Sequence, residues 1–125
     1  MRRDLNGLEV LDSAECMRLL ASVSLGRIGL SSDALPVVLP VNYAVVGDQI
    51  VVRTRRGTKL AAATRNAIVA FEVDQVDPCS GAGWSVMVQG LAREVSDPEE
   101  LAAAHAAPLA RWIDPLDGRH VGISI

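Results

Sequence analysis

Residues 49–66 read QIVVRTRRGTKLAAATRN, a strand that passes through a single glycine into a helix of barely two turns. Ile50, Val51 and Val52 form a β-branched run suited to a pleated, half-buried surface. Gly57 breaks the strand, Thr58 is placed to cap, and residues 59–65 begin with good helix formers. A helix this brief cannot serve as the crossover of a doubly wound dinucleotide-binding sheet, whose parallel strands need long connections. The chain must therefore build its sheet mainly from antiparallel neighbours.

The flanking sequence agrees. Asp12 or Ser13 can cap a first helix with an apolar stripe of Met17, Leu19, Leu20 and Val23. Strands are expected at 25–30, with Gly26, Ile28 and Leu30 on one face, and at 35–46, where Pro40 belongs at a bulge or an edge because it cannot donate to a ladder. Gly47-Asp48 closes a hairpin into the strand at 50–55. Further strands are expected at 67–74, buried on both sides at its start, and at 84–95, interrupted by Gly90 where a barrel strand would coil. Asp97-Pro98-Glu99-Glu100 opens a helix over 99–107, by its cap, its proline and its acids. A short helical piece at 109–113, with Trp112 packing down, a turn at 114–118 and a last strand at 119–125 complete the order. Six mostly antiparallel strands with helices at the rim predict a mainly β fold with peripheral helices, a six-stranded split or closed barrel in one domain spanning residues 1–125.

Composition narrows the function classes. Half of the 125 residues are hydrophobic but only four are aromatic, so the core rests on Val, Leu, Ile and Ala. No apolar run approaches the roughly 20 residues of a membrane span, and the N-terminus lacks the apolar stretch of a signal peptide, which together predict a cytoplasmic protein and no membrane partner. G-x-G-x-x-G and G-x-x-x-x-G-K-[ST] motifs are both missing. Cys16 and Cys79 show no metal spacing and read as ordinary residues. His105 and His120 have no companion at metal or triad spacing, so each reads as a lone polar residue.

Charge is the sharpest local signal. Residues 49–66 hold Arg53, Arg55, Arg56, Lys59 and Arg65 and no acid, in a chain whose net charge is −3. The two-residue alternation of a strand puts Arg53 and Arg55 on one face and the Thr54 hydroxyl on the other. A strand end, a glycine turn and a helix start meet there, an arrangement that favours an anion. Arg53, Thr54 and Lys59 are thus candidates for a phosphate cradle, against the simpler reading of a solvated basic loop. Nucleic acid is a poor candidate partner, since the chain is net acidic and its basic cluster lacks interleaved aromatic residues.

Five segments together resemble a known family. LGRIGL at 25–30, LPVVLPVNYAV at 35–45, IVVRTRRGTKL at 50–60, IVAFEVDQVD at 68–77 and GWSVMVQGLAREV at 83–95 are similar, in order and spacing, to the pyridoxamine 5'-phosphate oxidase-like flavin-binding split barrels, in their small actinobacterial-type branch. The resemblance implies a homodimer with FMN, or the deazaflavin coenzyme F-420, in a groove between two barrels. It implies that Arg53, Thr54 and Lys59 hold the cofactor's phosphate, that Leu60 is a further cofactor-binding residue and that Val41, Asn42 and Tyr43 face its ring. Trp84 and Ser85 would approach from the partner subunit, or Trp84 would anchor the dimer. It implies a flavin- or deazaflavin-dependent oxidoreductase acting on a small organic substrate, with a non-catalytic flavin, haem or metabolite binding protein as the alternative. The further basic residues that grip a vitamin B6 phosphate have no counterpart here, and no acid or base is assigned.

Overall fold

The computed structural model describes residues 1–55, 57–108 and 118–125, with Lys59 described for its backbone alone. The helical piece expected at 109–113, Trp112 and all of the expected turn except Gly118 lie outside the described residues. In chain order the elements are α1 (Ser13–Ser22), β1 (Leu25–Ser32), β2 (Leu35–Val46), β3 (Gln49–Arg55), α2 (Lys59–Ala63), β4 (Ala67–Val76), β5 (Gly83–Glu94), α3 (Pro98–Ala106) and β6 (Gly118–Ser124).

The caps fall where side-chain chemistry puts them. The Asp12 carboxylate accepts from the Glu15 amide at 2.8 Å, Thr58 from Ala61 at 3.1 Å and Asp97 from Glu100 at 3.2 Å. The helix α2 stops at Ala63, two residues short of the expected end.

The six strands close into an antiparallel barrel in the order β1-β2-β3-β6-β5-β4. Hairpins make three of the seams, β1 to β2, β2 to β3 and β4 to β5; the last strand then inserts between β3 and β5. The β2 strand is unbroken, and its prolines have a simple place. The Tyr43 amide donates to Ser24 on the β1 side at 3.0 Å. In a register without a bulge, Pro36 and Pro40 therefore turn their nitrogens away from β1, along a stretch where β2 pairs with no other strand. Only residues 43–46 of β2 bond to β3, so the two strands part before Asn42.

The barrel interior is filled by Ile28, Tyr43, Ile50, Val52, Phe71, Val73, Val88 and Ile123, with Leu19 and Leu20 of α1 packed against them. Gly26 shares the inner face with Ile28 and Leu30, and a Cβ there would lie 2.5 Å from the Phe71 ring. On the opposite face of the sheet, α3 lays Ala104 on Val51.

One expectation is corrected. The start of β4 is not buried on both sides: Val69 and Phe71 point inward, whereas Ile68 is 71% exposed. A closed barrel without a second layer over this wall gives each strand one inner and one outer face.

Candidate functional site

Alternation along β2, β3 and β6 sorts the expected site residues onto two faces. Val41, Tyr43 and Thr54 are buried in the barrel. Tyr43 packs edge-on against Phe71, with centroids 4.7 Å apart, and its hydroxyl donates to the Leu20 carbonyl at 2.5 Å. Burial pushes its pKa up to about 12. It therefore ties α1 to the barrel and is no acid or base near neutrality. Tyr43→Phe is expected to cost about 1–2 kcal/mol of stability through the orphaned carbonyl and to leave ligand affinity unchanged, as denaturant titration and ligand titration would show. Because the unfolded chain deprotonates this phenol near 10 and the folded chain only near 12, wild-type stability should fall as pH climbs through that window, and Tyr43→Phe should remove that component.

Thr54 is 1% exposed, and its hydroxyl reaches the Arg119 carbonyl at 3.5 Å. It lines a hollow of about 30 Å³ with Ala61, Thr64, Arg65 and Arg119, room for a water or two. Arg53 lies on the other face of β3, so its guanidinium and the Thr54 hydroxyl do not converge. Leu60 is half-buried against the barrel core. Trp84 is half-buried at the core edge and Ser85 is exposed. Both stand at the start of β5, ten and nine residues from Glu94 and so roughly 30 Å or more along the strand. Within one chain they are at the far end of the barrel from the Arg53 neighbourhood, because Glu94 pairs with Arg119 beside it.

A polar row on the outer face brings together what the sequence left scattered. Arg53 pairs across β3 and β6 with His120. Asn42 lies on the outer face of β2, one residue before Tyr43, whose rung with Val52 is the last between β2 and β3. Each member holds a buried polar atom without a hydrogen-bond partner: Asn42 Nδ2, Arg53 Nε and Nη1, and His120 Nε2. An unmet buried donor ordinarily costs about 1–3 kcal/mol, and native proteins keep few of them. From α3 the exposed His105 ring sits edge-on over His120, centroids 4.8 Å apart. Burial, and then the charges of His105 and Arg53, hold the His120 pKa below the usual imidazole range. Among the described residues no carboxylate makes an ion pair with Arg53 and no third residue completes a metal site with the two histidines. The row is cationic and donor-rich, and suits an anionic ligand with several acceptor oxygens.

Sequence spacing could not reveal this pair of imidazoles, which are brought together from α3 and β6. The Arg27 guanidinium, lying 3.3 Å from Asp74 and 3.6 Å from Glu72, escaped it for the same reason. Burial and the neighbouring Asp74 raise the Glu72 pKa.

Comparison with known proteins bears on this geometry. The family model described as pyridoxamine 5'-phosphate oxidase matches residues 12–120. An uncharacterised protein of Mycobacterium tuberculosis is 48% identical over 97 residues, 74% of this chain, and the chain spans 64% of that relative's length. The solved FAD binding protein from Mycobacterium smegmatis is 40% identical and superposes with a TM-score of 0.80, covering 90% of this chain and 89% of that one. A conserved Corynebacterium diphtheriae protein of unknown function is 30% identical with a TM-score of 0.76, over 93% of this chain and 90% of that one. Among the described residues no helix is long and apolar enough to cross a membrane.

Proposed function

Because the chain belongs to the pyridoxamine 5'-phosphate oxidase family, we propose that it binds a flavin-type cofactor on the outer face where β2 and β3 part, and acts with it as an oxidoreductase on a small organic substrate. The observation that carries this reading is the set of unpartnered buried donors on Asn42 and Arg53. The fit is chemical: a guanidinium and an amide with, among the described residues, no acid to satisfy them match a phosphate ester and a ring edge rich in acceptors. Arg53 would hold the phosphate and Asn42 an acceptor of the cofactor. FMN, FAD as in the Mycobacterium smegmatis relative, and coenzyme F-420 all carry a phosphate that could engage Arg53. When bound, the flavin supplies hydride chemistry, and the chain contributes grip, orientation and exclusion of water.

A second copy of the chain completes the groove. The outer face of β1, β2, β4 and β5 exposes Val38, Ile68, Met87 and Leu91, at 68%, 71%, 62% and 38%, and Ile68 and Leu91 face each other across one rung. Exposed apolar side chains gathered on one barrel wall mark an interaction surface. Trp84 and Ser85, too far to serve their own chain's Arg53, would then serve the second copy's.

Titration of the flavin-free protein with FMN, FAD and coenzyme F-420, followed by fluorescence, tests the cofactor; failure of all three to bind removes the reading. For the dimer, Ile68→Asp is expected to yield monomers in light scattering and to lose flavin affinity with the dimer. Dimers that persist in this variant would take that face out of the interface.

A further inference from the structure

His120 is the most deeply buried member of the polar row, at 2% exposure, and its Nε2 has no partner. Its other features are the Arg53 guanidinium across the rung and the His105 ring, which connects it to solvent. A cation at this place is disfavoured by Arg53, and a neutral ligand would leave that guanidinium uncompensated. The phosphate monoester of FMN, unlike the diesters of FAD and coenzyme F-420, carries close to two negative charges near neutrality, whereas Arg53 supplies one positive charge. Among the described residues of this face, the two imidazoles are the groups that can take up a further positive charge from water.

We propose that His120 is a phosphate-binding residue of the cofactor site, gripping with Arg53 the phosphate that Arg53 is read to hold above, and that the phosphate's arrival is accompanied by uptake of one proton from solvent onto the His105–His120 pair. This rests on the flavin reading. Without ligand, burial, His105 and Arg53 keep His120 neutral; with a dianion beside it the balance of charge is reversed. Among the described residues, the other charged groups near this face do not supply that change. On β3, Arg55 is exposed and already cationic; on α3, Glu99 and Glu100 lie in the first turn, away from His105. On β5, Arg93 stands opposite Gly122 and Glu94 is engaged by Arg119.

The sign follows from linkage. The complex holds one more proton than the free protein wherever pH lies between the free and the bound imidazole values, so phosphate-dependent affinity falls about tenfold per pH unit as pH rises through that interval.

Calorimetric titration of the full chain with FMN, at about pH 7.5 where the FMN phosphate is already mostly dianionic, in non-phosphate buffers of different ionisation enthalpy reads the proton directly. The expected result is uptake of about one proton with FMN and none with riboflavin, which lacks the phosphate. His120→Gln should abolish the uptake and weaken FMN about ten- to a hundred-fold, with riboflavin affinity unchanged. His105→Gln, at an exposed helix position, should reduce the uptake without unfolding the chain, and serves if the His120 variant does not fold. FMN binding in wild type with no proton uptake, or with the same uptake in the folded histidine variants, overturns the role given to the imidazoles and leaves the flavin site standing. Absence of any flavin binding to wild type overturns both.

Discussion

Gly90→Ala is expected to lower the stability of this chain by about 3 kcal/mol, the upper range for forcing extra volume into a packed interior. A Cβ at position 90 would lie 2.1 Å from the Ser124 carbonyl oxygen and 3.2 Å from its carbon. Those atoms are the backbone of the closing strand, which cannot swing away as a side chain could. The β5–β6 seam has only three rungs, Ala92↔Ile123 to Glu94↔Val121, as few as any in the barrel, so a displacement that clears the methyl threatens closure there. The expectation at this glycine was a coil in the strand; the structural demand is close approach of another strand. Gly29→Ala is the control: its Cβ would meet the Ala70 Cβ at 3.6 Å, an ordinary contact, and its stability should stay within about 0.5 kcal/mol of wild type. Urea unfolding of the two variants decides the matter. Equal midpoints would mean that the seam yields without cost and that closure does not depend on position 90.

On the proposed function, Arg53→Ala is expected to weaken flavin binding by about 1.5–3 kcal/mol, the worth of a hydrogen bond to a charged group, or roughly ten- to a hundred-fold in affinity. The folded chain itself should lose little, because the buried Nε and Nη1 of Arg53 have no hydrogen-bond partner there to forfeit. That separation of binding from stability distinguishes a ligand residue from a structural one. Arg55, two positions on and exposed, provides the comparison: Arg55→Ala should change affinity by less than about 0.5 kcal/mol, as a screened surface charge does. Equal losses in both variants would mean that diffuse positive charge, and not the polar row, attracts the ligand. An unchanged affinity in Arg53→Ala would remove the row from the cofactor site.

Much of the scaffold is readable along the chain because it is made by near neighbours. Asp12, Thr58 and Asp97 cap helices through atoms three residues away. Gly47, with its φ of 60°, turns the hairpin between β2 and β3. The period-two alternation already separates Arg53 from Thr54 across β3. These are short-range consequences of backbone sterics and side-chain hydrogen bonding, and no distant residue is needed to produce them.

The rest depends on which strand closes against which. Insertion of β6 between β3 and β5 puts His120 beside Arg53, sixty-seven positions earlier in the chain, and docking of α3 on that same wall brings His105 over it. Closure also decides that Thr54 looks inward, where its hydroxyl meets Arg119, and that Ile68 looks out. Alternation along a strand states that two faces exist, but only burial against the assembled barrel says which is the inside. The fold's local pieces and its store of positive charge were thus written in residue order, while the meeting of Arg53 from β3 with His120 from β6 is a product of the closed sheet alone.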